Sequence, residues 1–537
     1  MFAVKRLAVL GCTGLVASTV AACGSSGGSD AGGSGVRVTM GTTAVTSTYD
    51  PAGAYDSGAW LVLYNTHQTL LSFPAGATEP QPDAAKSCAF TGSDTMTYRC
   101  TLKSGLTFSN GDPLTVEDVV FSFTRMKEIH DPGGPADAIF GTLRSVAAQG
   151  DSDVVFHLTE PDAVLPSKLA SAAGAIVDHK VYPANALLPN DRMVGSGPYK
   201  VDGIDDMKTP DGHAPGVVRL SANPAYRGSA KLNNNAFTLR YYSEPAGLKA
   251  ALDSGEVDFT DSSLDPKDST AYRQNALTGV GNFKVVTGES AETRYMVFNT
   301  KDDVVGNKAV REAVAQLLDR KAIARDSYNR TVQALYSIVP PGILGSNTAF
   351  FDRYGDPSLS AARGILTRAG IHTPVKFSLT WSRSRVDGAE AKEIKRQLEA
   401  GGLFQVKVAR EASWDAFKKG WQSGAYQAYT VGWYPDYPDA DTFVVPLVVD
   451  GGAYHMGWNN SAISSRLVPQ SRKVTDRSAA MGKFAEMQDI VADSAPLIPL
   501  WRTKAFYVSK NDISGVESTV DTSGVFRFWE IGRIAAD

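Results

Sequence analysis

Residues Leu102–Phe123 read LKSGLTFSNGDPLTVEDVVFSF, and the order of side-chain types nearly dictates the local backbone. The apolar run that closes at Phe108 reads as the end of a strand. Ser109-Asn110-Gly111-Asp112-Pro113 has the makings of a turn: glycine tolerates positive φ, proline fixes its own φ, and Asn and Asp bond their neighbouring amides. Thr115 and Asp118 then form a Thr-x-x-Asp capping box, which satisfies amides that a first helical turn leaves open. Val116, Val119, Val120 and Phe123 recur at helical spacing and give one apolar face. Locally this is a strand–turn–helix unit.

Outward from that unit, Val36-Arg37-Val38-Thr39-Met40 alternates as a first strand. The chain has 537 residues, too many for a single core, and two or three domains are expected. Its 27 prolines and 50 glycines cluster between periodic segments, as in an α/β protein with many loops. Formal charge is −4 and no basic block occurs, which argues against nucleic acid or an anionic membrane surface as partner. No short repeat is visible.

The first residues, MFAVKRLAVLGCTGLVASTVAACGSSGGSD, carry Lys5 and Arg6 ahead of an apolar run that ends in small residues. The run is too short for a comfortable transmembrane helix, which needs about 20 apolar residues, and it reads as an export signal over 1–22. Val20-Ala21-Ala22-Cys23 resembles a lipobox, in which the cysteine is lipidated and becomes the first residue. The Gly/Ser-rich stretch to Gly35 makes 23–35 a flexible tether. The expected place is the outer face of the cell membrane, held by the lipid alone, because no second apolar run is long enough to span a bilayer. Cys88 and Cys100 remain, placed on either side of a Gly92-Ser93-Asp94 turn, with Met96, Tyr98, Cys100 and Leu102 alternating. A hairpin about that turn brings them together, and in an oxidising compartment a disulfide is expected. Closing so short a loop contributes about 3 kcal/mol.

As a whole string, Leu102–Phe123 resembles the signature of the family-five extracellular solute-binding proteins, which serve bacterial oligopeptide, dipeptide and nickel importers. Five further stretches match that family in order. They are Val194-Gly195-Ser196-Gly197-Pro198-Tyr199, Asn223-Pro224-Ala225-Tyr226-Arg227-Gly228, and Leu252-Asp253-Ser254-Gly255-Glu256-Val257-Asp258. Phe298-Asn299-Thr300 with Ala309-Val310-Arg311-Glu312-Ala313 and Asp319-Arg320 follows, then Ala495-Pro496-Leu497-Ile498-Pro499-Leu500-Trp501. The resemblance implies a two-lobed α/β clamp of the periplasmic-binding-protein kind (type II, cluster C), with an extra subdomain inserted in the first lobe. Lobe I is expected over 36–60, 185–283 and 503–537, its insertion over 61–184, and lobe II over 284–502. Independently, Val310, Ala313, Val314 and Leu317 mark one amphipathic helix in the second lobe, and Ile394 with Leu398 another.

The acidic stretch Val431–Phe443, VGWYPDYPDADTF, admits three uses for its carboxylates. A calcium loop needs alternating acids followed by glycine, whereas here the spacing is Asp436-x-x-Asp439-x-Asp441 with Pro438 inside. Nickel or zinc calls for imidazoles, and the seven histidines include no i, i+4 pair, so neither metal nor cofactor is expected. Paired carboxylates serve glycoside hydrolysis, but no nucleophile elbow, H-E-x-x-H, Walker loop or dinucleotide fingerprint accompanies them, and an enzyme is not expected. The resemblance supplies the third use. In peptide-binding relatives an aspartate after a Gly-Trp pair meets the ligand ammonium, and Asp436 stands in that place, three residues after Trp433. Trp433 and Tyr434 are then candidate pocket walls or core, and Arg383 and Arg385 candidates for the ligand carboxylate, since the guanidinium fork binds it bidentately. Asp439 and Asp441 read as solvated loop acids or a helix cap before Thr442. The function so implied is a monomeric ABC-importer lipoprotein that delivers oligopeptides to membrane permease subunits driven by cytosolic ATPases. A nickel complex, a sugar or an opine on the same scaffold is the alternative, with a surface enzyme behind it.

Overall fold

The computed structural model describes residues 36–534, apart from 45, 47, 210, 211, 383–385, 450 and 451. The signal segment, Cys23 and the tether lie outside the described residues, as do Arg383 and Arg385.

The first strand, Arg37–Thr42, buries Val38 and Met40 completely and lies parallel between Ala236–Tyr241 and Phe259–Thr260. The sheet continues through Gly212–Ala222 to Tyr199–Thr209 on that side. On the other side it passes through two long antiparallel strands, Leu497–Lys510 and Phe283–Phe298, then Ala428–Trp433, Val375–Trp381 and Phe404–Arg410. The short strand Val332–Ala334 adds to Leu497–Lys510. The two long strands belong to both halves. Phe283–Glu289 pairs with Lys510–Lys504, the register then slips, and Thr293–Val297 pairs with Arg502–Leu497. Such an irregularity bends the ladder. Apolar packing divides there: one core draws on residues 291–501, the other on residues 38–259 and 513–531. This is the two-lobed α/β clamp. Tyr437 crosses the division, since it stands in the second lobe's stretch of sequence but packs in the first lobe's core.

A separate four-stranded sheet holds Ala85–Phe90, Thr97–Leu102, Asp153–Leu158 and Leu143–Gln149 in spatial order. Cys88 sits directly opposite Cys100 in it, and the two form a disulfide. One expectation fails nearby. The strand stops at Leu102 rather than Phe108, because Gly105 adopts φ 73° and turns the chain. Phe108 is fully buried, but its amide bonds Asp112 O at 2.8 Å inside the turn. The helix Val116–Ile129 follows as expected, with the Thr115 amide on Asp118 Oδ2 at 2.8 Å and Val116, Val119 and Phe123 buried. Removing such side chains from water contributes about 1.5–3 kcal/mol each.

The helix Lys308–Leu317 buries Val310, Ala313, Val314 and Leu317, and Ala389–Glu399 buries Ile394 and Leu398. Several motif residues turn out to clip segments together. Arg311 donates to the carbonyls of Val305, Gly306, Ser494 and Ala495. Gly197 lies so close to the chain at Thr66 that an added Cβ would stand 2.5 Å from its carbonyl carbon, and Asn223 donates to Gly197 O. Among the described residues, no helix is long and apolar enough to cross a membrane.

Candidate functional site

The strand Ala428–Trp433 delivers the chain to the junction of the lobes, where a loop leads into the helix Asp441–Val448. All three acids of this stretch are buried, with 5% of Asp436, 7% of Asp439 and none of Asp441 accessible. That corrects the expectation of solvated loop acids. Asp439 takes a bidentate pair from Arg477, with Nε to Oδ2 at 2.7 Å and Nη2 to Oδ1 at 3.0 Å, and its Oδ1 also accepts the Asp441 amide. Asp441 accepts from Tyr437 Oη at 2.9 Å and from Arg472 Nε at 3.3 Å. Thr442 lies inside the helix, and Asp441 is its first residue.

Asp436 differs. Its Oδ2 accepts from two hydroxyls, Tyr55 at 3.1 Å and Thr442 at 3.2 Å, and among the described residues no cation pairs with it. Burial pushes its pKa up to about 7; the two hydroxyl hydrogen bonds and the distant charge of Lys168 pull the other way. Tyr55 belongs to the first lobe, so this bond spans the junction, and a separation of 381 residues hid it from sequence patterns.

Tyr434 keeps 42% of its surface accessible, yet burial raises its hydroxyl pKa, with Glu292, Asp521 and Asp261 adding to the rise. Glu292 lies where the long strands change register and accepts from Thr503 Oγ1 at 2.8 Å. Burial raises the hydroxyls of Tyr64 and Tyr507 as well, with Tyr434 adding at both, Asp436 at Tyr64, and Asp261, Asp521 and Glu292 at Tyr507. Trp433 is buried in the second core, edge-on to Tyr454, and among the described residues its indole N–H has no acceptor. The Gly432-Trp433-Tyr434 run thus splits into a core tryptophan and an exposed tyrosine. Two depressions elsewhere, of about 310 Å³ beside Phe121 and 400 Å³ beside Trp458, share no residue with this cluster.

Other titratable groups are spoken for locally. Asp56, also pushed up to about 7 by burial, caps the helix Ser57–Thr66 by accepting from the Ala59 amide. Asp118, Asp178 and His179 bring possible metal ligands within 4.8 Å of one another. There Asp118 already holds the helix cap and both the amide and Nδ1 of His179, and Asp178 holds Asn110 Nδ2 and the Lys180 amide. What the junction holds is a desolvated carboxylate that no cation pairs with among the described residues, bonded by the Tyr55 and Thr442 hydroxyls. A buried carboxylate of this kind suits an ammonium, through charge-assisted hydrogen bonds.

Known proteins bear on this geometry. The family model described as bacterial extracellular solute-binding proteins, family 5 Middle, matches residues 79–455, more than half of the chain. The dipeptide-binding protein DppE of Bacillus subtilis is 21% identical over 502 residues, spanning 88% of this chain and 87% of its own. Among solved structures, the Helicobacter pylori periplasmic binding protein DppA with peptide STSA superposes with a TM-score of 0.78 at 21% identity, covering 93% of this chain and 98% of that one. Haemophilus influenzae OppA with the peptide RPPGFSPFR gives 0.78 at 20% identity, over 94% and 99%. At such identities the superpositions speak for the fold. The match over most of the clamp settles the lineage: this chain belongs to the family 5 bacterial extracellular solute-binding proteins.

Proposed function

We propose that the protein is the substrate-binding component of an ABC importer, which captures oligopeptides between its lobes and passes them to membrane permease subunits worked by cytosolic ATPases. One observation carries the reading: Asp436 is a buried carboxylate at the junction of the lobes, and among the described residues only hydroxyls meet it. A peptide N-terminus supplies the missing cation, and closure around it replaces the Tyr55 contact or shares it. Peptides named in relatives' structures support the same ligand class. Binding is the whole activity, and the lobes deliver the ligand unaltered. Tyr434 borders the first peptide residues with Trp433 behind it in the core, and Arg383 or Arg385 takes the ligand carboxylate, so amidating the peptide C-terminus should weaken binding. The lobes divide at about residues 284 and 502, a split the two cores support, and the insertion runs over 61–184. Export and lipidation at Cys23 place the protein outside the cytoplasm, in keeping with the family's extracellular description. An exported protein whose intact mass lacks the lipid would remove the anchor.

The decisive experiment is calorimetric titration with peptides. Asp436→Asn should weaken binding by about 2–5 kcal/mol, the usual effect of removing one partner of a buried charge pair. Unchanged affinity for peptides, or tight binding of a single non-peptide solute instead, would overturn the reading.

A further inference from the structure

The two arginines that hold Asp439 and Asp441 come from one short segment of the second lobe, and Arg472 faces two ways. Its Nε reaches Asp441 Oδ2 at 3.3 Å within its own lobe. Its Nη1 reaches Glu160 Oε1 at 2.9 Å, on the inserted subdomain of the first lobe. The Arg472 carbonyl also accepts the Ala163 amide at 2.7 Å and the Thr95 hydroxyl at 3.3 Å, both from that subdomain. Behind Ala163, Asp162 is fully buried with Lys168 Nζ at 2.6 Å and Thr142 at 2.6 Å. A second buried cation, Arg477, fixes Asp439 and the carbonyls of Ser471 and Val474. A continuous polar path therefore runs from the inserted subdomain through Arg472 to Asp441 and Tyr437, five and one residues beyond Asp436.

We infer that Arg472 is a positioning residue: docking of the inserted subdomain on Arg472 latches the lobes together and sets the loop that carries Asp436. The inference rests on the reading of Asp436 as the ligand anchor, but adds a role for a subdomain that does not itself hold that carboxylate. When the lobes part, the Glu160, Ala163 and Thr95 contacts are lost while the Asp441 contact stays. The docking contacts thus favour the closed state alone, which is the condition for shifting a two-state equilibrium. Glu160 is the accessible member, with half its side chain in solvent, so it can be changed without disturbing a core.

The test uses full-length protein and follows the distance between spin labels on the inserted subdomain and the second lobe, with and without peptide. Glu160→Lys sets a cation against Arg472, and Arg472→Met removes the bridge. Both should shift the ligand-free distances toward the open state and raise the peptide dissociation rate about five-fold or more, the scale of a real coupling between sites. Arg472→Lys keeps a cation and should recover part of the effect. Discrimination between free and N-acetylated peptide should survive in Glu160→Lys, because Asp436 is intact. Wild-type distances and dissociation rate in Glu160→Lys would overturn the latch, whether or not Arg472→Met folds. Failure of the wild type to prefer a free N-terminus would instead overturn the reading of Asp436 and leave the ligand-free distances to decide the latch.

Discussion

The two ends of the loop between residues 436 and 441 hold equally buried carboxylates in opposite electrostatic states. At the far end, Asp439 and Asp441 each meet a guanidinium, Arg477 and Arg472. At the near end Asp436 meets hydroxyls, and its pKa stands at about 7 because burial is not offset by a cation. Burial alone therefore does not mark a binding carboxylate. The distinguishing feature is a desolvation cost left unmet within the protein, which a ligand can offset. The far pair shapes the loop, and the near carboxylate is the one proposed to take the ligand's cation.

The sharpest way to break this contrast is to exchange the consequences. Asp441→Asn removes one of the two carboxylates that meet Arg472, leaving Glu160, and the loss should approach that of a broken buried pair, about 3–5 kcal/mol, readable as a lowered urea midpoint. If Asp441→Asn left stability unchanged, the far end would not be structural.

Asp436→Asn should act in the other direction on stability. The folded-state pKa of about 7 lies above the unfolded value of 3.8. As pH rises between those values the unfolded chain ionises first, so this group progressively disfavours folding, and the penalty is constant above the folded pKa. The asparagine variant should thus be more stable than wild type by about 1–3 kcal/mol at pH 8, with the gain vanishing near pH 4. A variant less stable at pH 8 would mean that the carboxylate has a cation after all.

The same titration should appear in binding. An ammonium needs the ionised form, so affinity for free peptides should fall as pH drops below about 7, by at most tenfold or about 1.4 kcal/mol per unit. Asp56 titrates in the same range, and Asp436→Asn separates the two because it should flatten the profile. Smallest of all, Tyr55→Phe removes one hydroxyl from Asp436 and should change peptide affinity by no more than about 1.5 kcal/mol.

Local periodicity revealed much of this molecule. The helix at Val116–Ile129, its capping box, the apolar faces around Val314 and Ile394, and the Cys88–Cys100 pair are all set by neighbours within about a dozen residues. Asp436 was singled out through the family motif. Its state was not legible, since Tyr55 lies 381 residues away, and the states of Asp439 and Asp441 were misread for the same reason: Arg477 and Arg472 arrive from 38 and 31 residues downstream. Strand length failed at Phe108 because burial and alternation persist through a turn that only the φ of Gly105 reveals. Charge pairing between distant segments is a property of the folded chain, and a run of acids in a sequence carries no sign of it.

The most direct measurement is a four-way calorimetric comparison: one peptide with a free and with an acetylated N-terminus, titrated into wild type and Asp436→Asn at pH 8. The expected result is a loss of about 2–5 kcal/mol on acetylation in the wild type and almost none in the variant, because both changes remove the same charge pair. Equal losses in the two proteins, or none in the wild type, would contradict the assignment of Asp436 as the partner of the ligand ammonium.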